Sequence, residues 1–304
     1  MNHAYRLAAL KIESDLDLPD LAPWDGSATA QADIAFRLGT VPLGLDAPDR
    51  VEAIFQTRGR DEYLLTLPGT GRILIRHGRE VTVDVESGAD PVNMRALLTD
   101  PIQAVLWHQR GLLPLHANAV VISGRAVALA GTSAAGKSAL AATLAQQGHE
   151  ILADDICVVD VDAPRVTLLP GVAHLRLWRD TLDELGVAAD GLCPALSGKE
   201  KFFVDRWSVC LELRPLAAVI VLVRRSTIAL AIERLFGLAA VGALRNMVHM
   251  RRPASALGRD ADIFAALTKM MASGVTVWRL TLPDDLTCLR DAAAKVLGAL
   301  EQQS

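Results

Sequence analysis

The fold of this chain is decided by Gly131-Thr132-Ser133-Ala134-Ala135-Gly136-Lys137-Ser138. We call this stretch the glycine loop, because two glycines separated by four residues precede a lysine and a hydroxyl residue, as in phosphate-binding loops. Successive backbone N–H groups of such a loop curl around phosphates, and the following helix directs its unpaired amides at the anion. Lys137 is expected to reach the β- and γ-phosphates, and Ser138 to bind a bridging Mg²⁺. The motif therefore predicts a site for a nucleoside triphosphate, which we take to be ATP.

The residues on either side of the glycine loop have the periodicity that such a loop requires. Arg125–Ala130 is a short apolar run of strand type, entered through Ser123-Gly124 from a matching run at residues 119–122. After the loop, Leu140 and Leu144 recur at helical spacing. A strand, a glycine loop and a helix in this order favour a functional site over an accidental match to the pattern.

Composition and charge limit the kind of protein this can be. The 304 residues suffice for one large or two ordinary domains, and the hydrophobic content of 51% is typical of a globular protein. The net charge of −4 gives no general reason to bind nucleic acid or an anionic membrane. The four cysteines are scattered without a Cys-x-x-Cys pair, which predicts neither a disulfide framework nor a zinc site. We expect a cytoplasmic protein without nucleic-acid or membrane partners.

The two parts of the chain differ in their apolar patterns. Short and often alternating runs separated by Pro, Gly and Asp predict a β-rich N-terminal domain over residues 1–90. Asp100-Pro101 supplies an N-cap and a proline at the first position of a helix. Strand-like runs such as residues 216–223 and 275–282 then intermix with helical stretches, which predicts an α/β catalytic domain over residues 91–304.

Two carboxylates and a histidine are candidates for chemistry beside the glycine loop. Asp154-Asp155 follows the first helix after the loop and one short strand, so both carboxylates should emerge where Mg²⁺ would bind. One could hold the metal together with Ser138, and the other could orient an attacking hydroxyl. An isolated Asp-Asp pair is more often a solvated turn, but its position after the loop favours the functional interpretation. His116 is either a core histidine with a satisfied hydrogen bond or a contact of Asp154 or of a transferring phosphate.

Three blocks of this sequence resemble the core of HPr kinase/phosphorylase and its relatives. They are residues 115–120, the glycine loop and residues 148–155, and their order and spacing match those of the family. A weaker resemblance continues through residues 169–178. Residues 5–14 are similar to the start of HPr-kinase-like proteins associated with peptide modification, including lasso-peptide tailoring kinases. The resemblance implies the P-loop fold of HPr kinase and PEP carboxykinase for the C-terminal domain, and it also implies self-association into a homo-oligomer.

The resemblance also implies a role for each candidate residue. The roles are those of catalytic carboxylate for Asp154, magnesium ligands for Asp155 and Ser138, phosphate lysine for Lys137, and histidine near the acceptor for His116. The roles of Asp154 and Asp155 are open to exchange. Arg176 and Lys201 are candidates for substrate contacts through the same resemblance.

Together these features predict a Mg²⁺-dependent kinase that transfers the γ-phosphoryl group of ATP to a serine hydroxyl of a peptide or small protein. A ribosomally made precursor peptide is one candidate acceptor. The sequence departs from the family at two places. Ala134 stands where relatives usually carry glycine, which affects the expected rate rather than binding. The glycine-rich segment with its glutamate is lacking, which leaves no ground for a reverse phosphorylase activity or for HPr as substrate. The alternatives are a catalytically weak nucleotide-binding regulatory module and a small-molecule kinase. A GTPase is less favoured, because no Asn-Lys-x-Asp guanine signature occurs.

Overall fold

The computed structural model describes residues 3–172, 174–195, 198–225 and 229–301. The chain divides into two compact units. The first unit comprises Met1–Pro114 and His249–Ile263, and the second unit comprises Leu115–Val248 and Phe264–Ser304. These ranges differ from the expected domains 1–90 and 91–304, because the segments 91–114 and 249–263 belong with the β-rich unit. The physical reason lies in the contacts of those segments, which are given below.

Strands and helices alternate irregularly along the chain. In chain order they are β1 (His3–Leu7), β2 (Leu10–Ser14), β3 (Ala22–Pro23), β4 (Ile34–Leu38), β5 (Arg50–Val51), β6 (Phe55–Arg58), β7 (Glu62–Leu67), β8 (Gly71–Arg76), β9 (Glu80–Val85), α1 (Pro91–Thr99), α2 (Pro101–Gln109), β10 (Leu113–Ile122), β11 (Arg125–Ala130), α3 (Lys137–Gln146), β12 (Glu150–Ala153), β13 (Ile156–Asp160), β14 (Thr167–Leu169), β15 (Leu175–Trp178), α4 (Arg179–Glu184), β16 (Lys201–Val204), β17 (Arg214–Arg224), β18 (Ala231–Leu235), α5 (Gly237–Met247), α6 (Arg251–Ala256), α7 (Asp260–Ala272), β19 (Thr276–Leu282) and α8 (Leu289–Glu301). The prediction of a mixed α/β fold is confirmed at this level.

The first unit is built on one sheet, as the short alternating runs predict. In the described part of the chain its strand order is β3-β1-β2-β4-β9-β8-β7-β6-β5. The pairs β2–β4 and β4–β9 are parallel, and the hairpins that flank them are antiparallel. Alternate residues such as Val81 and Val83 of β9 are buried, whereas Thr82 between them is partly exposed. This period of two places one face of the sheet on a core.

Helices that follow the sheet in sequence are tied to it by hydrogen bonds. The Gly78 amide donates to Oε1 of Gln109 just after its hairpin turn, at 2.8 Å, and Arg110 donates to the Gly78 carbonyl oxygen at 3.0 Å. Much later in the chain, the Ala256 carbonyl oxygen of α6 accepts from the Thr57 hydroxyl at 3.1 Å. These contacts explain why α2 and α6 belong to the first unit.

The second unit contains a sheet whose central strand is β17. This strand runs parallel to β11 on one side and to β19 on the other. Residues 216–222 of β17 are all buried, because a parallel strand covered on both faces reads as a continuous apolar run. β10 and β11 form the predicted hairpin, with Ser123 and Gly124 both at positive φ, as a two-residue turn requires.

Small side chains let α3 pack closely on α8 within the core of the second unit. Ala139, Ala142 and Ala145 of α3 are buried in the same cluster as Ala293 and Val296 of α8. α8 begins at Leu289, directly after a 3₁₀ turn over Leu286–Cys288 that Asp285 caps by accepting from the Thr287 amide. Among the described residues, no helix is both long and apolar enough to cross a membrane.

The N-cap of α2 is the predicted residue, Asp100, but its side chain does not cap the helix. Asp100 precedes α2 and Pro101 begins it, but the Asp100 side chain makes no capping hydrogen bond. Its carboxylate instead accepts from Nε2 of His249 at 2.6 Å. An acceptor that sequence reasoning assigned to the local helix therefore serves a residue far away in the chain.

Candidate functional site

The glycine loop lies between the end of β11 and the start of α3, in the predicted strand, loop and helix order. Both of its glycines are required by the backbone. A Cβ at Gly131 would lie 3.1 Å from the Leu222 carbonyl oxygen, and Gly136 has φ of +99° at the N-cap of α3. Ala134 has φ of +63°, a left-handed conformation that an alanine adopts only at a cost. The loop therefore carries backbone strain at Ala134.

Lys137 folds back onto the loop that it follows. Its buried ammonium group donates to the carbonyl oxygens of Gly131 at 3.0 Å and of Thr132 at 3.2 Å. It also lies 2.9 Å from Nε2 of His116, whose Nδ1 is 3.3 Å from the Asp155 carbonyl oxygen. A neutral imidazole with its proton on Nδ1 satisfies both contacts, since Nε2 then accepts from the lysine. His116 therefore joins the loop to the acidic pair.

Asn118 is a member of this site that sequence reasoning missed. It is fully buried on β10, two residues after His116 and so on the same face of the strand. Its Nδ2 donates to the Ser138 hydroxyl at 3.2 Å and to Oδ1 of Asp154, while its own Oδ1 is buried without a partner among the described residues. Two polar residues at alternate positions of an otherwise apolar strand were the signal that could have revealed it.

Asp154 and Asp155 occupy the tight turn between β12 and β13. Asp155 has φ of +60°, and its carbonyl oxygen accepts from the Ala117 amide at 3.1 Å. Arg176 of β15 holds both carboxylates, with Nε 3.3 Å from Oδ2 of Asp154 and Nη2 bonded to Oδ2 of Asp155. The carboxylates are thus held apart from solvent but close to a guanidinium.

The two carboxylates differ in their affinity for a proton. Burial, reinforced by the charge of Asp155, raises the pKa of Asp154 to about 6, although Arg176 opposes this. Burial also favours the protonated form of Asp155, but the positive charges of Arg176 and Lys201 outweigh it and leave the pKa of Asp155 below its usual range. At neutral pH the structure therefore accommodates two carboxylates, of which Asp154 keeps a proton more readily.

The predicted site residues come together at one edge of the second unit. Ser138 Oγ lies 3.4 Å from Oδ1 of Asp154, so the serine neighbours Asp154 directly, whereas the expected metal pair was Ser138 with Asp155. The ammonium group of Lys201, on β16, lies 5.7 Å from the ring centroid of Trp178. It forms no ion pair with Asp154 or Asp155, but its positive charge lowers the pKa of Asp155. The exposed residues Thr132 and Ser133 and the buried Ala135 complete the loop.

The oxygen ligands fit Mg²⁺ better than a transition metal. Among the described residues, no three His, Cys, Asp or Glu side chains converge as a metal site. The protein would thus supply the hydroxyl of Ser138 and one or both carboxylates, with phosphate and water oxygens completing the octahedron, as is usual for Mg²⁺. A metal ion bound to Asp154 would either share the carboxylate with Arg176 or displace the Arg176 guanidinium from it.

A separate cavity of about 840 Å³ is lined by residues from the opposite ends of the same strands, including Arg125 of β11, Pro215 of β17 and Thr276 of β19. It contains none of the predicted site residues. Two of the basic side chains that line it are already engaged, Lys269 by Asp162 at 2.6 Å and Arg234 by the rings of Phe236 and Trp278. We therefore place the chemistry at the glycine loop.

Fold and site together define an α/β protein in which a strand, glycine loop and helix face an acidic pair. No protein-family model matches the sequence, and no curated protein matches it. Among solved structures, the chain is similar to the HPr(Ser) kinase/phosphatase from Coxiella burnetii, with 16% sequence identity and a TM-score of 0.33. The match covers 63% of this chain and 99% of that chain. This is a distant likeness, and the function proposed below rests on the residues of the site.

Proposed function

We propose that this protein is a Mg²⁺-dependent kinase that transfers the γ-phosphoryl group of ATP to a serine hydroxyl of a peptide or small protein. The observation that carries the proposal is the convergence at the glycine loop: Ser138 Oγ lies 3.4 Å from Asp154, and Lys137 Nζ lies 2.9 Å from His116. A hydroxyl, a carboxylate and an ammonium group beside a run of loop amides are the parts that phosphoryl transfer requires.

Each residue has a distinct task in this reaction. The loop amides and Lys137 bind the phosphate oxygens. To do so, Lys137 gives up its hydrogen bonds to the Gly131 and Thr132 carbonyl oxygens and donates to phosphate instead. The acceptor oxygen then forms a bond to the γ-phosphorus as the bond to the β–γ bridging oxygen breaks, and ADP leaves. The acceptor proton passes to a carboxylate, which need give only modest assistance because the transition state is loose. Mg²⁺, when bound, neutralises charge on the phosphates.

We assign Asp154 to the metal and Asp155 to the acceptor, which exchanges the roles implied by the family resemblance. Two observations support the exchange. Asp154 is the carboxylate beside Ser138, and its side chain is only 1% exposed, compared with 15% for Asp155, so that an acceptor hydroxyl reaches Asp155 more easily. Geometry takes precedence over the raised pKa of Asp154, which a divalent cation would lower again.

The acceptor class rests on the resemblance of residues 5–14 to proteins of peptide modification, and a ribosomally made precursor peptide is the acceptor we would test first. A second candidate function is a nucleotide-binding regulatory module with weak catalysis. The observation in its favour is that Arg176 holds both carboxylates while Lys137 is bonded to the carbonyl oxygens of its own loop. Both contacts must rearrange before transfer.

Substitution of Lys137 by Ala tests the proposal. We expect the natural protein to transfer label from γ-labelled ATP to a serine peptide or small protein in the presence of Mg²⁺, and Lys137→Ala to reduce the transfer at least about a hundredfold, because charge on the phosphates then goes unneutralised. The control is Lys269→Ala, an exposed lysine paired with Asp162, which should leave the rate unchanged.

Four results would change the assignment. Normal transfer by Lys137→Ala contradicts the site. Calorimetric binding of MgATP without transfer to any serine-bearing acceptor favours the regulatory module, and label recovered on a metabolite favours a small-molecule kinase. Failure of the natural protein to bind any nucleoside triphosphate rejects all three functions.

A further inference from the structure

Arg224 carries a positive charge and lies beside the glycine loop. The function proposed above assigns no role to it. It is the last residue of β17, which runs parallel to β11, and the carboxyl ends of parallel strands meet at one edge of a sheet. The register pairs Ala130, the last residue of β11, with Val221. β17 therefore extends past the point where the glycine loop begins, and Arg224 lies alongside the loop.

The Arg224 side chain lies against the second glycine of the loop. A Cβ placed on Gly136 would lie 3.3 Å from Nη2 of Arg224 and 3.8 Å from its Nε. Gly136 is the N-cap of α3 and immediately precedes Lys137. The guanidinium thus adjoins the turn whose amides open the helix, which is the part of such a loop that attracts anions.

The hydrogen-bonding capacity of Arg224 is not satisfied within the described residues. Its Nε is buried and has no hydrogen-bond partner there. None of the ion pairs found in the described ranges includes Arg224, in contrast to Arg176, which holds two carboxylates. A guanidinium N–H shielded from water without an acceptor is costly, and a ligand with anionic oxygens would supply the acceptor.

We propose that Arg224 donates hydrogen bonds to the phosphate chain of the bound nucleoside triphosphate, an inference that rests on the proposed function. Its planar fork of donors matches the geometry of phosphate oxygens. Lys137, on α3, is a single point charge, so the two cations would bind the phosphates from different elements. An arginine in this position also stabilises the charge that spreads over the phosphoryl oxygens during transfer.

Nucleotide titrations of three variants test this role. We expect Arg224→Gln to weaken MgATP binding about tenfold or more, which corresponds to about 1.4 kcal/mol, as measured by isothermal titration calorimetry. Arg224→Lys should recover only part of the affinity, because lysine keeps the charge but lacks the fork. The matched control is Arg225→Gln, the exposed neighbour, which should bind within twofold of the natural protein.

The outcomes separate this inference from the proposed function. If the natural protein binds MgATP but Arg224→Gln binds both ATP and ADP within twofold of it, Arg224 has no phosphate contact while the kinase proposal stands. If the natural protein itself does not bind, the proposed function fails first. A larger loss for ATP than for ADP places the contact on the terminal phosphate, and equal losses place it on the inner ones. If thermal unfolding shows that Arg224→Gln is not folded, Arg224→Lys provides the test. A loss of MgATP affinity of about threefold or more in that variant supports the contact, and unchanged affinity contradicts it.

Discussion

Asp154 shows how a single residue can serve a site at the expense of the stability of the protein that carries it. Its carboxylate is buried next to a second carboxylate, and this placement raises its pKa to about 6. An aspartate in the unfolded chain releases its proton about two pH units lower. Between about pH 4 and pH 6 the native state therefore holds a proton that the unfolded state has lost, so this residue lowers the free energy of unfolding progressively as pH rises.

Replacing Asp154 by Asn removes this penalty. At pH 7.5 we expect Asp154→Asn to have a higher free energy of unfolding than the natural protein, by up to about 3 kcal/mol, with a smaller difference at pH 5. Phosphoryl transfer should be lost at both pH values. Urea unfolding at the two pH values measures the difference, and Asp162→Asn, at an exposed carboxylate, is the control. A variant that gained more stability at pH 5 than at pH 7.5 would contradict this account.

The helix α3 illustrates how packing between elements positions the glycine loop. Its buried alanines permit close contact with α8, so the first turn of α3, which follows the loop directly, is held by the core of the second unit. A close-packed interior contains few voids, so a shift of one helix is transmitted to the elements packed against it. A larger side chain in this contact should therefore disturb both the core and the amides of the glycine loop.

Ala142→Leu tests this coupling within the element. We expect a loss of about 1–3 kcal/mol in the free energy of unfolding through overpacking, together with weaker MgATP binding. The matched control is Ala294→Leu, the same change at an exposed position of α8, which should alter both by little. Urea unfolding and nucleotide titration measure the two effects. If Ala142→Leu unfolded earlier but bound MgATP with unchanged affinity, the helix contact would not position the loop.

Elements that depend on local pattern were predictable from the sequence, and those that depend on distant pairing were not. The hairpin at Ser123-Gly124 and the start of α3 follow from turn residues and helical spacing, which act over a few positions. Asn118 and Arg224 join the site only because β10 and β17 both pair with β11, and no short-range pattern encodes that order. Asp100 likewise looked like a local cap, because its true partner, His249, is remote in sequence.

At the scale of the whole molecule, the chain passes between the two units three times. The first unit takes residues from 3–114 and again from 249–263, and the second takes the intervening segment and the C-terminal one. The boundary predicted near residue 90 implies that the chain passes from one unit to the other only once. It is placed there because the pattern of apolar residues changes at that point. The contacts of α6 with the first sheet, such as Thr57 with Ala256, show why pattern alone could not find the second segment.

Truncation at the boundary predicted from the sequence should therefore expose apolar surface. A chain of residues 91–304 retains α2 and α6 but lacks the strands on which they depend. We expect it to bind a hydrophobic dye such as ANS, because the faces of these helices that pack on the missing strands are then exposed. The comparison is a chain beginning at residue 115 in which residues 249–263 are replaced by a Gly/Ser segment of equal length, which should unfold cooperatively and bind MgATP. Dye binding by the second chain but not the first would contradict the division.

The return of the chain to the first unit sets an order of events during synthesis. The first unit lacks α6 and Arg259, whose guanidinium donates to the carbonyl oxygen of His108, until residue 263 has been made. At translation rates of roughly 5–20 residues per second, the ribosome spends on the order of ten seconds on the intervening segment. Strands β1–β9 are therefore made well before the segment that completes their unit, so we expect nascent chains of this protein to expose apolar surface that chaperones would shield.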